Sequence, residues 1–303
     1  MFADNRTRNA FIALGLVALI WGYNWVVMKV ALFHSGPMDF SLLRNFFGTV
    51  TLFIVIALRE RSWKALAMPA SPGKVLLLGL LQTTGFIGFI AIALTDGGAG
   101  KSAVLAYTMP FWALLFGAWF LHERIRGSQW LAVAFAAAGV VFLIAPWETG
   151  YASVSSLSSL AAGLVWGASI IVAKRIPQTQ PGALLSISAW QMLLGTIPLA
   201  FLAWLIPEQD IDWSLGFVIA LAYNAVLGSA LAWLLWLYAV RTLPAGIAGL
   251  ASLGAPAISV LAAWLQLNER PTFADALGML LIFAALTVLT VRALLARDSR
   301  GKS

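Results

Sequence analysis

A succession of apolar runs, each about as long as a helix that crosses a bilayer, leaves this chain very few folds to choose from. Breaks at Gly, Pro and charge place ten of them, at about 10–33, 39–58, 74–95, 100–121, 128–145, 153–174, 182–205, 213–240, 245–267 and 272–294. Lipid offers no partner to a backbone N–H or C=O, so a continuous apolar run of this length has to be helical. Composition agrees: of 303 residues 61% are hydrophobic and 10% charged, far from the balance of a soluble domain. The fold class expected is an all-α polytopic membrane protein with ten transmembrane helices. Pro37, Pro72, Pro146, Pro181, Pro207, Pro244 and Pro271 flank the runs, where a proline at a helix start costs no hydrogen bond. The first run follows Arg6 and Arg8 as a signal peptide would, but it is too long for one, and it reads as a retained helix.

The basic residues orient the bundle. With the N-terminus in the cytoplasm, Lys101 and Arg270 alone fall in far-side loops, and Lys29 and Arg44 lie within runs; every other Lys and Arg is cytoplasmic. Glu208, Asp210 and Asp212 cluster on the far side. Both termini are then cytoplasmic, in the cytoplasmic (inner) membrane of the cell. The net charge of +7 is a consequence of topology, and no nucleic-acid partner is expected. Cysteine is absent, His34 and His122 fall in opposite loops, and no HExxH, phosphate loop, nucleophile elbow or EF-hand occurs. The expectation is a protein without enzymatic chemistry, cofactor or metal.

Two patterns recur half a chain apart. Trp21-Gly22 with Lys29 returns as Trp166-Gly167 with Lys174, 145 residues later. Ala99-Gly100, Pro110 and Glu123-Arg124 return as Ala245-Gly246, Pro256 and Glu269-Arg270, 146 residues later. Five runs per copy is an odd number, so the second copy has to insert upside down, an arrangement that places binding sites near the midplane between repeats. The expected units are residues 1–148 and 149–303, the second ending in a short basic cytoplasmic tail, with a Ser-rich linker at about 146–159.

At these motifs the sequence resembles the drug/metabolite transporter superfamily, specifically its EamA-type ten-helix members. The resemblance spans about residues 10–145 and 153–293. It implies a substrate basket lined by helices one to four and six to nine, with helices five and ten peripheral. It also implies a secondary transporter, and many such relatives export amino acids or other small metabolites. Arg44 has no counterpart in the second copy, where Ala189 stands, so an anion site would be lopsided.

The candidate site residues follow from polar and aromatic groups inside the runs. Lys29 and Arg44 lie at similar depth with no acid between them, which suggests an anion-binding vestibule, although Asp39 could pair with Arg44. Asn24, Gln82, Gln191 and Asn224 are midplane amides able to hold a polar metabolite, with Tyr107 and Ser252 as further polar candidates. Each taken singly also reads as inter-helix glue. Trp21 and Trp166, repeat mates deep in their runs, could wall one cavity or serve as scaffold. Trp63, Trp130, Trp147, Trp204 and Trp213 sit at run ends as interfacial anchors. Pro110 and Pro256 are matched hinge candidates. Glu123 and Glu269 read as caps on the helices that follow them. No acid lies at mid-depth in any run, which disfavours proton-coupled export of organic cations.

The reading is a secondary transporter exporting amino acids or other small polar metabolites by alternating access, its partners a small-molecule metabolite and the lipid bilayer. A flippase for a lipid-linked substrate and a non-transporting scaffold or regulatory subunit are the alternatives.

Overall fold

The structure, a computed structural model, describes residues 5–60, 66–125, 127–149, 152–177, 183–243 and 245–298. Side chains are described for these except at 60, 148–149, 183, 240–241, 245–252, 293–294 and 296–298. The long helical stretches are α1 (Asn5–Ala31), α2 (Pro37–Glu60), α3 (Pro72–Asp96), α4 (Ala99–Phe120) and α5 (Ser128–Ile144) in the first half. In the second half they are α6 (Val154–Lys174), α7 (Ala183–Leu205), α8 (Leu215–Thr242), α9 (Ala245–Leu267) and α10 (Phe273–Asp298). Among the described residues eight stretches are long and apolar enough to cross a membrane, and Ser128–Ile144 and Leu253–Leu267 are shorter apolar helices. Large apolar side chains such as Leu58, Phe201, Leu265 and Leu280 face outward, as lipid rather than water demands. The chain is an all-α polytopic membrane protein. Trp130, Trp147, Trp204 and Trp213 are exposed near helix ends, while Trp63 lies outside the described residues.

The helices pair in a pattern that repeats five helices on. α1 packs on α8 and α9, and α6 packs on α3 and α4; α2 meets α8, and α7 meets α3. Three further pairs join repeat mates: α2 with α7, α4 with α9, and α5 with α10. Glycines let these backbones approach, as membrane helices require when apolar burial gives no net drive. A Cβ on Gly22 would stand 2.6 Å from the Ala255 carbonyl oxygen, and one on Gly167 would stand 3.0 Å from the Met109 oxygen. These are the glycines of the repeated Trp-Gly pair, each at the crossing of α1 with α9 or of α6 with α4.

The sequence placed a break in α4 at Pro110. The helix instead turns at Tyr107–Thr108 and restarts at Met109, so Pro110 occupies the first turn of the new segment, where its missing N–H is harmless. Its repeat mate Pro256 lies inside the unbroken α9. Two other irregularities are π-helical: Leu80–Gly85 in α3 and Tyr223–Leu231 in α8. They fall at matching places in the two halves.

One end of the bundle is tied across the halves by carboxylates. Glu208 accepts from the Met38 and Asp39 N–H groups at the start of α2, at 3.0 and 3.1 Å. Glu269 accepts from Ala99 N–H at 2.9 Å and Gly100 N–H at 3.2 Å, the start of α4. Glu269 is therefore a cap, but on α4 rather than on the α10 that follows it. The start of α10 is closed by reciprocal bonds between Thr272 and Asp275, and Asp275 also meets Lys101 at 2.9 Å. Glu123 is not a cap on α5: it pairs with Lys174 at 2.9 Å, at the opposite end of the bundle.

Candidate functional site

At mid-height the bundle encloses a cavity of about 140 Å³. Its α1 wall is Trp21, Asn24, Trp25 and Met28, the i, i+3, i+4, i+7 stripe of one helix face. α2 contributes Arg44 and Asn45, α3 the span from Gln82 to Ile90, and α4 the broken segment at Ala106, Tyr107 and Met109. From the second half come Trp166 of α6, Gln191 and Met192 of α7, and Gly228, Ser229 and Trp233 of α8. Neither α5 nor α10, which pack on each other, reaches it among the described residues.

The π segments explain much of this shape. A π turn shifts the backbone register and frees groups for partners outside the helix. In α8 the Gly228 carbonyl accepts from the Trp21 indole N–H at 3.0 Å, setting that ring against Trp233 and Trp236 at 5.9 and 5.8 Å between centroids. In α3 the Thr83 hydroxyl donates to Gln191 Oε1 at 3.0 Å, and the Thr84 hydroxyl to the Gly195 carbonyl at 2.7 Å. Trp166 packs against Phe86 with 4.4 Å between ring centroids and the rings tilted by 56°. The repeat-mate tryptophans thus face one cavity from opposite halves.

Arg44 dominates the electrostatics. Its side chain is 6% exposed, and among the described residues no carboxylate pairs with it. One Nη donates to the Met28 thioether at 2.7 Å, a weak acceptor for a guanidinium, and Nε has no partner. Asp39 does not neutralise it. Asn24 also lines the cavity with its Oδ1 unpaired. An unmatched buried charge is costly, so the site favours an anionic group that can pair with it.

Of the residues singled out from sequence, Trp21, Asn24, Arg44, Gln82, Tyr107, Trp166 and Gln191 meet at this cavity. Lys29 does not. It directly follows Met28 and so points about 100° round the helix from it, and its ammonium donates to the Leu94 and Thr95 carbonyls at 2.6 and 3.1 Å, closing the C-terminus of α3. The vestibule of two cations therefore reduces to Arg44 alone. Asn224 is fully buried outside the lining, its amide donating to the Ala220 carbonyl at 2.9 Å within its own helix. The Ser252 side chain lies outside the described residues. Asn45, Thr83 and Ser229 also line the cavity, Ser229 being brought round by the π segment of α8.

Apolar packing is unequal at the two ends. Toward the Glu208 and Glu269 end, Trp25, Phe40, Ile90, Leu94, Tyr107 and Phe217 belong to one continuous core. Toward the Lys174 end the packing splits into separate clusters, around Leu52 and Ile56, around Leu14, and around Val75 and Ile187. Continuous apolar packing therefore lies between the cavity and the first end.

A helical bundle in an apolar coat, with a largely apolar, aromatic-walled cavity that carries a few polar groups, is an architecture suited to a small-molecule membrane transporter. The sequence profile of the EamA-like transporter family matches residues 9–145 and again 154–291. The chain belongs to that family, and it is a multi-pass transporter of the cytoplasmic membrane. It is 26% identical over 277 residues to the "Uncharacterized transporter YoaV" of Bacillus subtilis (strain 168), covering 89% of this chain and 94% of that one. It is 28% identical over 294 residues to the "Probable amino-acid metabolite efflux pump" of Escherichia coli (strain K12), covering 93% and 94%. A solved crystal structure superimposes with a TM-score of 0.64 at 21% identity, over 94% of this chain and 97% of that one, and bears on the fold.

Proposed function

We propose that the protein exports amino acids or other small, carboxylate-bearing polar metabolites by alternating access. The observation that carries this reading is Arg44, a buried guanidinium lining the cavity with no acid to neutralise it among the described residues. A carboxylate is the ligand group whose two oxygens match the guanidinium fork. The efflux-pump relatives support the direction and the size of the cargo. In this reading ten spans form two inverted five-helix units, residues 1–148 and 149–303, with both termini cytoplasmic. The Glu208 and Glu269 end faces outward, and the conformation described is closed to the outside. Tyr107–Thr108 of α4, next to Pro110, and the two π segments are where the halves would flex, with Pro256 bending α9 as its mate.

The test is flux in proteoliposomes loaded with an amino-acid panel. Replacing Trp21 and Trp166 together by Ala should lower flux about tenfold or more, each lost ring contact being worth ~0.5–1.5 kcal/mol beyond its area. Trp130→Ala, on the exposed surface, should leave flux within about twofold by the same reasoning. Equal losses at equal abundance would remove the cavity from the transport path.

The outer closure makes a separate prediction. Glu208→Gln with Glu269→Gln removes charge-assisted caps worth about 1.5–3 kcal/mol each. A cysteine introduced by Ala106→Cys, unique in a chain with no native Cys, should then react several-fold faster with an impermeant maleimide added outside. An unchanged rate would show that the caps do not hold the closure.

A further inference from the structure

The charge balance of the cavity says more about the cargo than its shape does. The lining holds one cation, Arg44, and no Asp or Glu among the described residues. A ligand of net charge −1 leaves the loaded site neutral. A zwitterion leaves it at +1, because the ammonium it brings is covalently held next to the carboxylate and hence close to the guanidinium. Nothing anionic is present to receive that ammonium. Asn24, Gln82 and Gln191 bring neutral amides to the lining, which suit a hydroxyl or amide better than a fully charged group leaving water. The rings of Trp21, Trp25, Trp166 and Trp233 supply apolar body contacts, and their faces compensate an ammonium only in part.

Resting on the transporter reading above, we propose that the cavity selects carboxylates of net charge −1 over zwitterions, so that the inside-negative membrane potential by itself drives the cargo outward. The charge moved per cycle equals the charge of the cargo when no ion travels with it. Among the described residues the cavity lining offers no carboxylate to carry a coupling proton. A monoanion then distributes about tenfold for each ~60 mV, from 2.3 kcal/mol per charge per 100 mV. Export of such a cargo requires neither a proton nor a sodium gradient.

The experiment uses wild-type protein in liposomes whose potential is set by potassium and valinomycin, with protein-free liposomes subtracted. Three pairs share a body and differ in charge: pyruvate and alanine, 4-methyl-2-oxopentanoate and leucine, phenylpyruvate and phenylalanine. In the pair whose body fits, the oxo acid should move about tenfold faster than the amino acid, and its steady distribution should follow the imposed potential and reverse with it. Arg44→Lys should keep that order and Arg44→Gln should lose it. If the amino acid moves as fast as its oxo acid or faster, in every pair that moves, the charge selection is wrong and the transporter reading stands. If neither these six compounds nor the amino-acid panel moves above the protein-free rate, both readings fall. The wild-type comparison does not depend on any variant folding.

Discussion

Arg44→Gln is expected to lower transport by about two orders of magnitude or more, since removing one partner of a buried charge pair costs ~3–5 kcal/mol in the loaded state. The empty protein should be as stable as before or more so. Among the described residues the guanidinium meets a thioether and the face of Phe40 and no carboxylate, so deleting its charge removes a desolvation cost and breaks no ion pair. Opposite signs for stability and function separate a ligand-binding residue from a structural one. Thermal unfolding in detergent with and without a carboxylate ligand reads both at once. The variant should unfold at the same or a higher temperature and show no ligand-induced rise. Arg44→Lys should fall between the two, keeping the charge and losing the two-pronged geometry. A variant that unfolds earlier yet still transports would place Arg44 in the scaffold.

The second large effect concerns the repeated Trp-Gly pair. Gly22→Ala and Gly167→Ala should each destabilise the fold by about 1–3 kcal/mol or more, the range for overpacking a tight contact. Each added methyl meets backbone: the Ala255 oxygen at 2.6 Å for Gly22, and the Ala113 nitrogen and Met109 oxygen at 3.0 Å for Gly167. Backbone cannot swing aside as a long side chain does, so α1 would have to leave α9, or α6 leave α4. Those crossings also set Trp21 and Trp166 against the cavity, so flux should fall with stability. Gly15→Ala is the control within α1, because nothing lies within 4 Å of its added methyl. It should be neutral or stabilising by up to about 1 kcal/mol through helix propensity. Equal losses in all three would mean that the close crossings are not what holds the bundle.

The helices were legible because hydrophobicity over some twenty residues is a local property, and the apolar runs match the helical stretches to within a few residues. The chief exceptions are informative. α1 starts at Asn5 rather than near Ala10, because a polar turn can extend a helix once its apolar part is anchored. The two π segments carry no signature in composition. The site was legible in part. Trp21, Trp166 and Arg44 stand out because a bulky ring or a charge deep in an apolar run calls for a reason. Asn24 and Asn224 look alike in sequence, yet one faces the cavity and the other bonds its own backbone.

What the order of residues settled alone was the class of protein, the span of each helix and the recurrence of one unit; that Arg44 rather than Lys29 faces the cavity, unpaired by Asp39, was settled by the structure. Which face of each helix turns inward was decided only by tertiary packing. Lipid and protein interior are equally apolar, so a buried helix such as α1 has almost no amphipathic asymmetry to read. Its direction comes from where glycines admit a neighbour and where a π turn rotates the residues beyond it. That is why Lys29, one position past Met28, closes a neighbouring helix end while Met28 meets Arg44 at the cavity.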